Sequence, residues 1–468
     1  MKSQIHEFLI GINRVMSKTN SKILNAIVAL AALVTVSSCH HELDPVVRIC
    51  NETTVGVNTT DQGDDIDGLC DGTISCTVRK AIYTANHSCV AKTIILGTGT
   101  KYTITTHETG HDASSSISTL GYMAFPPITG EVIIEGNGAI IERDTTVSDQ
   151  FRLFHIKSGG KLTLRNVTIQ GGQAGAFGSP STNDETHGGA ILNEGELVLE
   201  NATFIHNQAY DQGGAIFNKG TLTANNSTFK YNDGQGIGGT GYSTGGAVFS
   251  SGINTIEGCY FFHNTVGEGE GGALAFESAF TVTSCLFEEN RAVHGGFALF
   301  ADAAGSITNC TFYNNVSAGQ DNGVIAAVGT ITLDISFCTF SHNISGGQFG
   351  ECFYLTTPTS AHVSNCIFDA NVPKNLYNEP SITYSGTNIS SDNSVTTISN
   401  PNTNALLGPL EMHGGHTKTM VPMTGSPAID VVTSVGSVTT DQRGNVRPID
   451  GDGNGTAIGD AGAVEANH

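Results

Sequence analysis

Gly188-Gly189-Ala190-Ile191-Leu192-Asn193, then Glu196-Leu197-Val198-Leu199, then Ala202-Thr203-Phe204-Ile205-His206-Asn207 spell out one unit that the chain repeats. Gly-Gly returns at Gly213-Gly214, Gly245-Gly246, Gly271-Gly272 and Gly295-Gly296, with single glycines at Gly323 and Gly350. Phe-x-x-Asn returns at Phe229/Asn232, Phe261/Asn264, Phe287/Asn290, Phe312/Asn315, Phe340/Asn343 and Phe368/Asn371, in steps of 25, 32, 26, 25, 28 and 28 residues. In the first four units the second glycine precedes its Phe by 15 residues. Each unit offers three apolar-alternating runs of about four residues, and none has the 3.6-residue periodicity of a helix. A unit this short cannot bury its own apolar face, so it must stack on its neighbours. The expected fold is all-β: a right-handed parallel β-helix, with Phe stacked inside and Asn in a turn ladder, where it tolerates φ > 0.

Composition agrees. The 468 residues include 58 Gly, 22 Phe and no Trp, and only 14% are charged. Strands and tight turns favour such a chain; helix bundles do not. Forty-three acidic against 21 basic side chains give a net charge of −22. That excludes nucleic acid as a natural partner, because nucleic acid needs a basic patch.

Residues 1–38 read as a leader. Lys2, Arg14, Lys18 and Lys22 precede an apolar run, Ile23 to Val34, that is too short to span a bilayer. Val36-Ser37-Ser38-Cys39 resembles a bacterial lipobox, which implies acylation of Cys39. His40, rather than Asp, follows it, so the expected location is exported and lipid-anchored at the outer membrane or cell surface, touching the membrane through the lipid alone. The remaining divisions are 39–92, a capping module; 93–372, the β-helix, with clear repeats over 186–372; and 373–468, a C-terminal region.

Three resemblances follow from quoted residues. The Gly-Gly-Ala-Ile and Phe-x-x-Asn pair resembles the repeat of chlamydial polymorphic outer membrane proteins, β-helix surface passengers implicated in adhesion. Ser75-Cys76-Thr77-Val78-Arg79-Lys80-Ala81-Ile82 resembles the CSLREA domain, with Thr for Ser, Val for Leu and Lys for Glu. Its Val78, Ala81, Ile82 and Ala85 fall at helical spacing, as a short helix capping the open sheet end requires. In the tail, Gly425-Ser426-Pro427-Ala428-Ile429-Asp430, Thr440-Asp441-Gln442-Arg443-Gly444, Arg447-Pro448 and Gly459-Asp460-Ala461-Gly462-Ala463-Val464-Glu465 resemble the choice-of-anchor Q domain, which usually precedes a surface anchor.

Chemistry is sparse. Cys259, Cys285, Cys310, Cys338 and Cys366 share one register and read as buried packing, with Cys352 apart from them and also buried. Cys50, Cys70, Cys76 and Cys89 allow two disulfides in any of three connectivities. Arg291 with Glu288, Glu289 and His294 is the most catalytic-looking group, though a solvated coil edge explains it as well. His206 and His263 stand two coils apart, too far to share a metal. Asp450, Asp452 and Asn454, with Asp460 beyond, follow the oxygen spacing of a calcium loop, or of a Gly-rich turn. Long insertions at 173–187 and 233–244 fall on one turn of the helix, where repeat proteins build binding faces. Asp184, Glu185, His187, Tyr210, Asp211 and Tyr242 are its candidate ligand-binding residues. The expected function is a display rod for adhesion, contacting a glycan or a host cell-surface protein. A polysaccharide lyase or glycoside hydrolase on the same fold, and a structural envelope protein without a ligand, are the alternatives.

Overall fold

The repeat unit folds as three short strands, Ile191–Asn193, Glu196–Glu200 and Thr203–Ile205. A fourth, Gln208–Ala209, is added between them and the next glycine pair. Each pairs in parallel with its equivalent one unit on: Ile191 with Ile216, Leu197 with Leu222, Phe204 with Phe229 and Gln208 with Asp233. The structure is a computed structural model, and it describes residues 54–57, 70, 76–88, 90–108, 121–175, 184–235, 243–267, 269–317, 319, 323–346, 351–377 and 380–466. The leader with Cys39, as well as Cys50, Cys89 and Tyr242, lies outside the described residues.

Among the described residues stacking yields three long parallel sheets and one two-stranded parallel pair, Ser243–Thr244 with Gly269–Glu270. One has eight strands, from Phe154–Ile156 to Glu351–Leu355, and so counts eight coils. A six-stranded sheet begins at Gln173–Ala174, and a long sheet carries two columns of strands side by side. The expected parallel β-helix is thus the fold. Its pairing extends past both expected boundaries. Thr54–Gly56 pairs with Lys92–Ile95, and Ile382–Ser385 pairs onto Ala361–Ser364.

Backbone geometry explains the constant spacing. The first glycine of each early pair has positive φ, 63° at Gly188 and 65° at Gly213, whereas the second is pressed against backbone. A Cβ on Gly214 would lie 2.1 Å from the Gly246 carbonyl oxygen. In the fifth pair Gly296, not Gly295, takes the positive φ. The left-handed glycine therefore precedes its Phe by 16 residues in all five units, including the one where the pair itself had slipped.

The Asn ladder needs a correction. The left-handed residue at that corner is the one before each Asn: His206, Tyr231, His263, Glu289, Asn314, His342 and Ala370, with φ of 52–57° covering all of them. Each Asn turns inward instead. Asn207 Nδ2 donates to Asn232 Oδ1 at 3.0 Å, Asn232 to Asn264 at 2.9 Å and Asn264 to Asn290 at 3.0 Å, and so on to Asn371. The second proton goes to a carbonyl on the neighbouring coil, as from Asn290 to Phe261 O at 2.9 Å. An amide has both donors and acceptors, so a buried column of amides can satisfy itself.

Beside it the Phe column is fully buried, with neighbouring rings 4.7–5.2 Å apart and nearly parallel. The five cysteines of the third column are buried and outside any disulfide, and Cys352 is buried as well. At the N-terminal end the helix Val78–Asn86 starts at Thr77, whose hydroxyl accepts from Lys80 N at 3.0 Å. Val78, Ala81, Ile82 and Ala85 are buried in the main core, as their spacing requires. Buried Arg79 donates to Ala124 O at 2.9 Å and ties the helix to the following coil. Cys70 and Cys76 form a disulfide, and Cys70 N donates to Thr84 Oγ1.

After its last paired strands the chain turns back and lies along the long sheet. Thr311 Oγ1 donates to Gln442 Oε1 at 2.6 Å, Asn309 Nδ2 to Thr440 O at 2.7 Å and Ala463 N to Thr339 Oγ1 at 3.1 Å. Residues 50–468 form one compact unit. Among the described residues no helix is long and apolar enough to cross a membrane.

Candidate functional site

The insertion patch is built over the strand Ile216–Asn218 of the eight-stranded sheet. A single 3-10 turn, Asp184–Thr186, places His187 on the Phe217 ring with 4.5 Å between centroids. His187 Nε2 lies 3.2 Å from Asp211 Oδ2, and its Nδ1 3.7 Å from Asp184 Oδ1. Lys219 Nζ takes the other Asp184 oxygen. Fully buried Arg152 donates to the carbonyls of Asp184 and His187 at 2.6 and 2.7 Å. On the same side His155 Nε2 meets Glu194 Oε2 at 2.9 Å.

Burial alone would neutralise these groups. For Asp184 the hydrogen bonds from His187 and Lys219 outweigh it and hold the carboxyl at about 2. Burial pulls the His187 imidazole down, but bonding to Asp184 and Asp211 more than compensates and raises it. Burial lowers Arg152 only to about 10, so it stays charged. The patch is therefore an ion network that pins the loop to the sheet. Tyr210 and Glu185 are half-buried at its margin. Of the candidates, Asp184, His187 and Asp211 come together; Arg152, His155, Glu194 and Lys219 complete the network from other coils, where no spacing in the sequence could place them.

The Arg291 group does not assemble. Arg291 is exposed, while Glu288 is buried under the tail. Glu288 accepts from Lys418 Nζ at 2.8 Å and from the Tyr260 hydroxyl. Burial and that carboxylate push the Tyr260 phenol well above its usual range. Glu289 faces His263 and Asn314 instead. His206, Tyr231 and His263 form an outer ring ladder with centroids 5.1 and 5.3 Å apart, so a metal shared by the two histidines is excluded by the tyrosine between them.

In the tail loop, Asp450 accepts from the backbone of Gly453, Asn454 and Gly455 at 2.8–3.0 Å. Asp460 is elsewhere. It is buried, accepting from Asp430 N at 2.8 Å and Ala466 N at 2.5 Å. Asp430 takes its place, because oxygens of Asp430, Asp450 and Asp452 lie within 4.8 Å of one another. Asn454 donates its amide to Asp452 Oδ2 at 2.9 Å. Three carboxylates are the hard oxygen donors that calcium takes.

One carboxyl with unusual chemistry escaped the sequence reading. Glu270 is half-buried, and burial together with the Asp302 charge pushes it up to about 7. Its Oε1 lies 3.8 Å from where a Cβ on Gly295 would sit, close to Tyr354 and Ala326.

Residues 201–219 match the Chlamydia polymorphic membrane protein (Chlamydia_PMP) repeat. No curated protein gives a significant match to the chain. The matched segment runs from the left-handed Asn201 through Phe204, Asn207 and the next coil's Gly-Gly to Lys219, and so includes the strand Ile216–Asn218. This repeat and the Cys70–Cys76 disulfide, a bond of oxidising compartments, point to an envelope or surface protein.

Proposed function

We propose that this protein is a surface-displayed β-helix that contacts a glycan or a cell-surface protein, tethered by a lipid on Cys39. The observation that carries the reading is the repeat: its buried amides and rings satisfy one another along the stack, so the outward side chains that the tail does not cover are left for contact with a partner. The ionisable groups most able to do chemistry at the insertion patch are engaged with each other. The tether is checked by metabolic labelling with a fatty acid, which should mark the wild type and leave Cys39→Ala unmarked; equal labelling removes it. Contact is checked on a glycan array with residues 40–468, where retention without release of new reducing ends is expected.

A second reading, a glycoside hydrolase, has one observation in its favour. Glu270, pushed up to about 7 by burial, is the kind of raised carboxyl that glycoside hydrolysis uses as its general acid. Reducing ends released by the wild type and not by Glu270→Gln would replace display with hydrolysis.

A further inference from the structure

Where the tail lies back on the coil stack, the two do not close completely. An open cleft of about 420 Å³ remains between the turn residues Ser336–Phe337, Ser364–Asn365 and Ser385–Thr387 on one side and residues 431–438 on the other. The volume suits one or two sugar rings, at the lower end of small-ligand sites.

Its chemistry is distinctive in so acidic a protein. Among the described residues that line it, none is charged. Ser364 and Ser385 line it from the coil side, and Thr433, Ser434 and Ser437 line it from the tail side. Two coil-side neighbours are already engaged: Ser336 Oγ lies 3.1 Å from Thr308 Oγ1, and Thr387 Oγ1 donates to Val431 O at 3.0 Å. These two bonds fix the walls. Val435 and Val438, half-buried against the small apolar cluster beneath the tail, supply the non-polar surface between the hydroxyls. Asn365, at the base, accepts from Thr387 N at 2.9 Å, so the coil-side wall is held by an amide rather than by a charge.

We infer that this cleft binds a neutral saccharide of one or two rings. Hydroxyls both donate and accept, so a ring of them can exchange hydrogen bonds with a polyol, while the valines cover its C–H faces. An anionic sugar finds no cation in the cleft and meets a chain of net charge −22. The inference rests on the glycan-contact reading and gives it an address away from the insertion patch.

The test uses residues 40–468, an array of neutral, sialylated and uronic-acid glycans, and the variant Ser434→Trp, which puts a large ring into the cleft from its exposed tail side. Thr223→Trp, on the outer face of the long sheet, is the control. Expected are retention of neutral glycans by the wild type and the control, and at least tenfold weaker retention by Ser434→Trp at unchanged thermal unfolding. If Ser434→Trp unfolds early, Ser437→Trp takes its place on the same wall. Equal retention by variant and wild type overturns the cleft and leaves the glycan-contact reading standing. Retention of acidic glycans alone overturns the neutral class. A wild type that retains no glycan overturns both.

Discussion

The coil stack and the tail both bury many polar groups, and they satisfy them in opposite ways. Inside the stack the solution is neutral and repeated: Asn207 to Asn371 hand one amide bond to the next coil, each at 2.8–3.0 Å. In the tail it is charged and used once. Arg447 and Glu465 pair at 2.8 Å with neither exposed, the guanidinium lying 4.3 Å over the Phe337 ring. Arg443 pairs with buried Asp441 at 2.6 Å, and Glu465 accepts from Asp460 N. A neutral ladder costs little desolvation and does not titrate. A buried ion knot carries a large desolvation penalty that its partners must offset, and breaking it is severe. The neutral columns inside the stack should therefore respond to loss of packing and barely to pH, and the tail the reverse.

The harshest way to break that contrast is to cut the stack in its middle. Phe287 is fully buried between Phe261 at 4.9 Å and Phe312 at 4.7 Å. Phe287→Ala should cost ~3–5 kcal/mol, as truncation of a buried aromatic does. Urea unfolding followed at pH 5 and pH 8 should show the same loss at both. An unchanged midpoint would mean that the column does not support the stack; a loss confined to one pH would mean that the stack is not the pH-insensitive partner.

The same contrast decides what the sequence could disclose. Phe204, Asn207 and Gly188 recur because every coil must solve one steric problem, so periodicity reported the strands, the interior columns and the capping helix. Periodicity could not say which residue of His206-Asn207 takes the left-handed corner; both are acceptable there, and only the inward hydrogen bond of Asn207 decides it. Nor could it find the fourth strand, two residues long. The sites were less legible. Loop lengths place Asp184, His187 and Asp211 on one face, and the three side chains do lie together, but Arg152 and Lys219 reach them from other coils. Asp430 reaches Asp450 across a fold-back that has no repeat to announce it. The uncharged cleft is made of serines, threonines and valines that carry no motif at all.

A smaller effect sharpens the other half of the comparison. Asp460 is fully buried; burial pushes its carboxyl up to about 7, against the bonds from Ala466 N and Asp430 N, and the nearby Glu465 charge adds to the rise. Its pKa is thus higher folded than unfolded, where a free aspartate sits near ~3.9. The stability that its protonated form contributes is complete below the unfolded value and is lost as pH rises through the folded one. Between pH 6 and pH 8 the fold should lose about 1 kcal/mol from this group. Burial raises Glu465 as well, so its contribution runs in the same direction. His187 behaves likewise in sign, its folded value being raised, but it acts at the first repeat coils and not at the tail. Hydrogen exchange separates the two sites. Amides of 440–466 should exchange faster at pH 8 than at pH 6 after correction for intrinsic rates, while those of the Phe column should not. Asp460→Asn cannot titrate, and should flatten the tail's dependence while lowering its protection at pH 6, because one of the two backbone donors loses its acceptor. A dependence that survives Asp460→Asn undiminished would place the titrating group elsewhere in the knot, and a tail as insensitive to pH as the stack would remove the contrast itself.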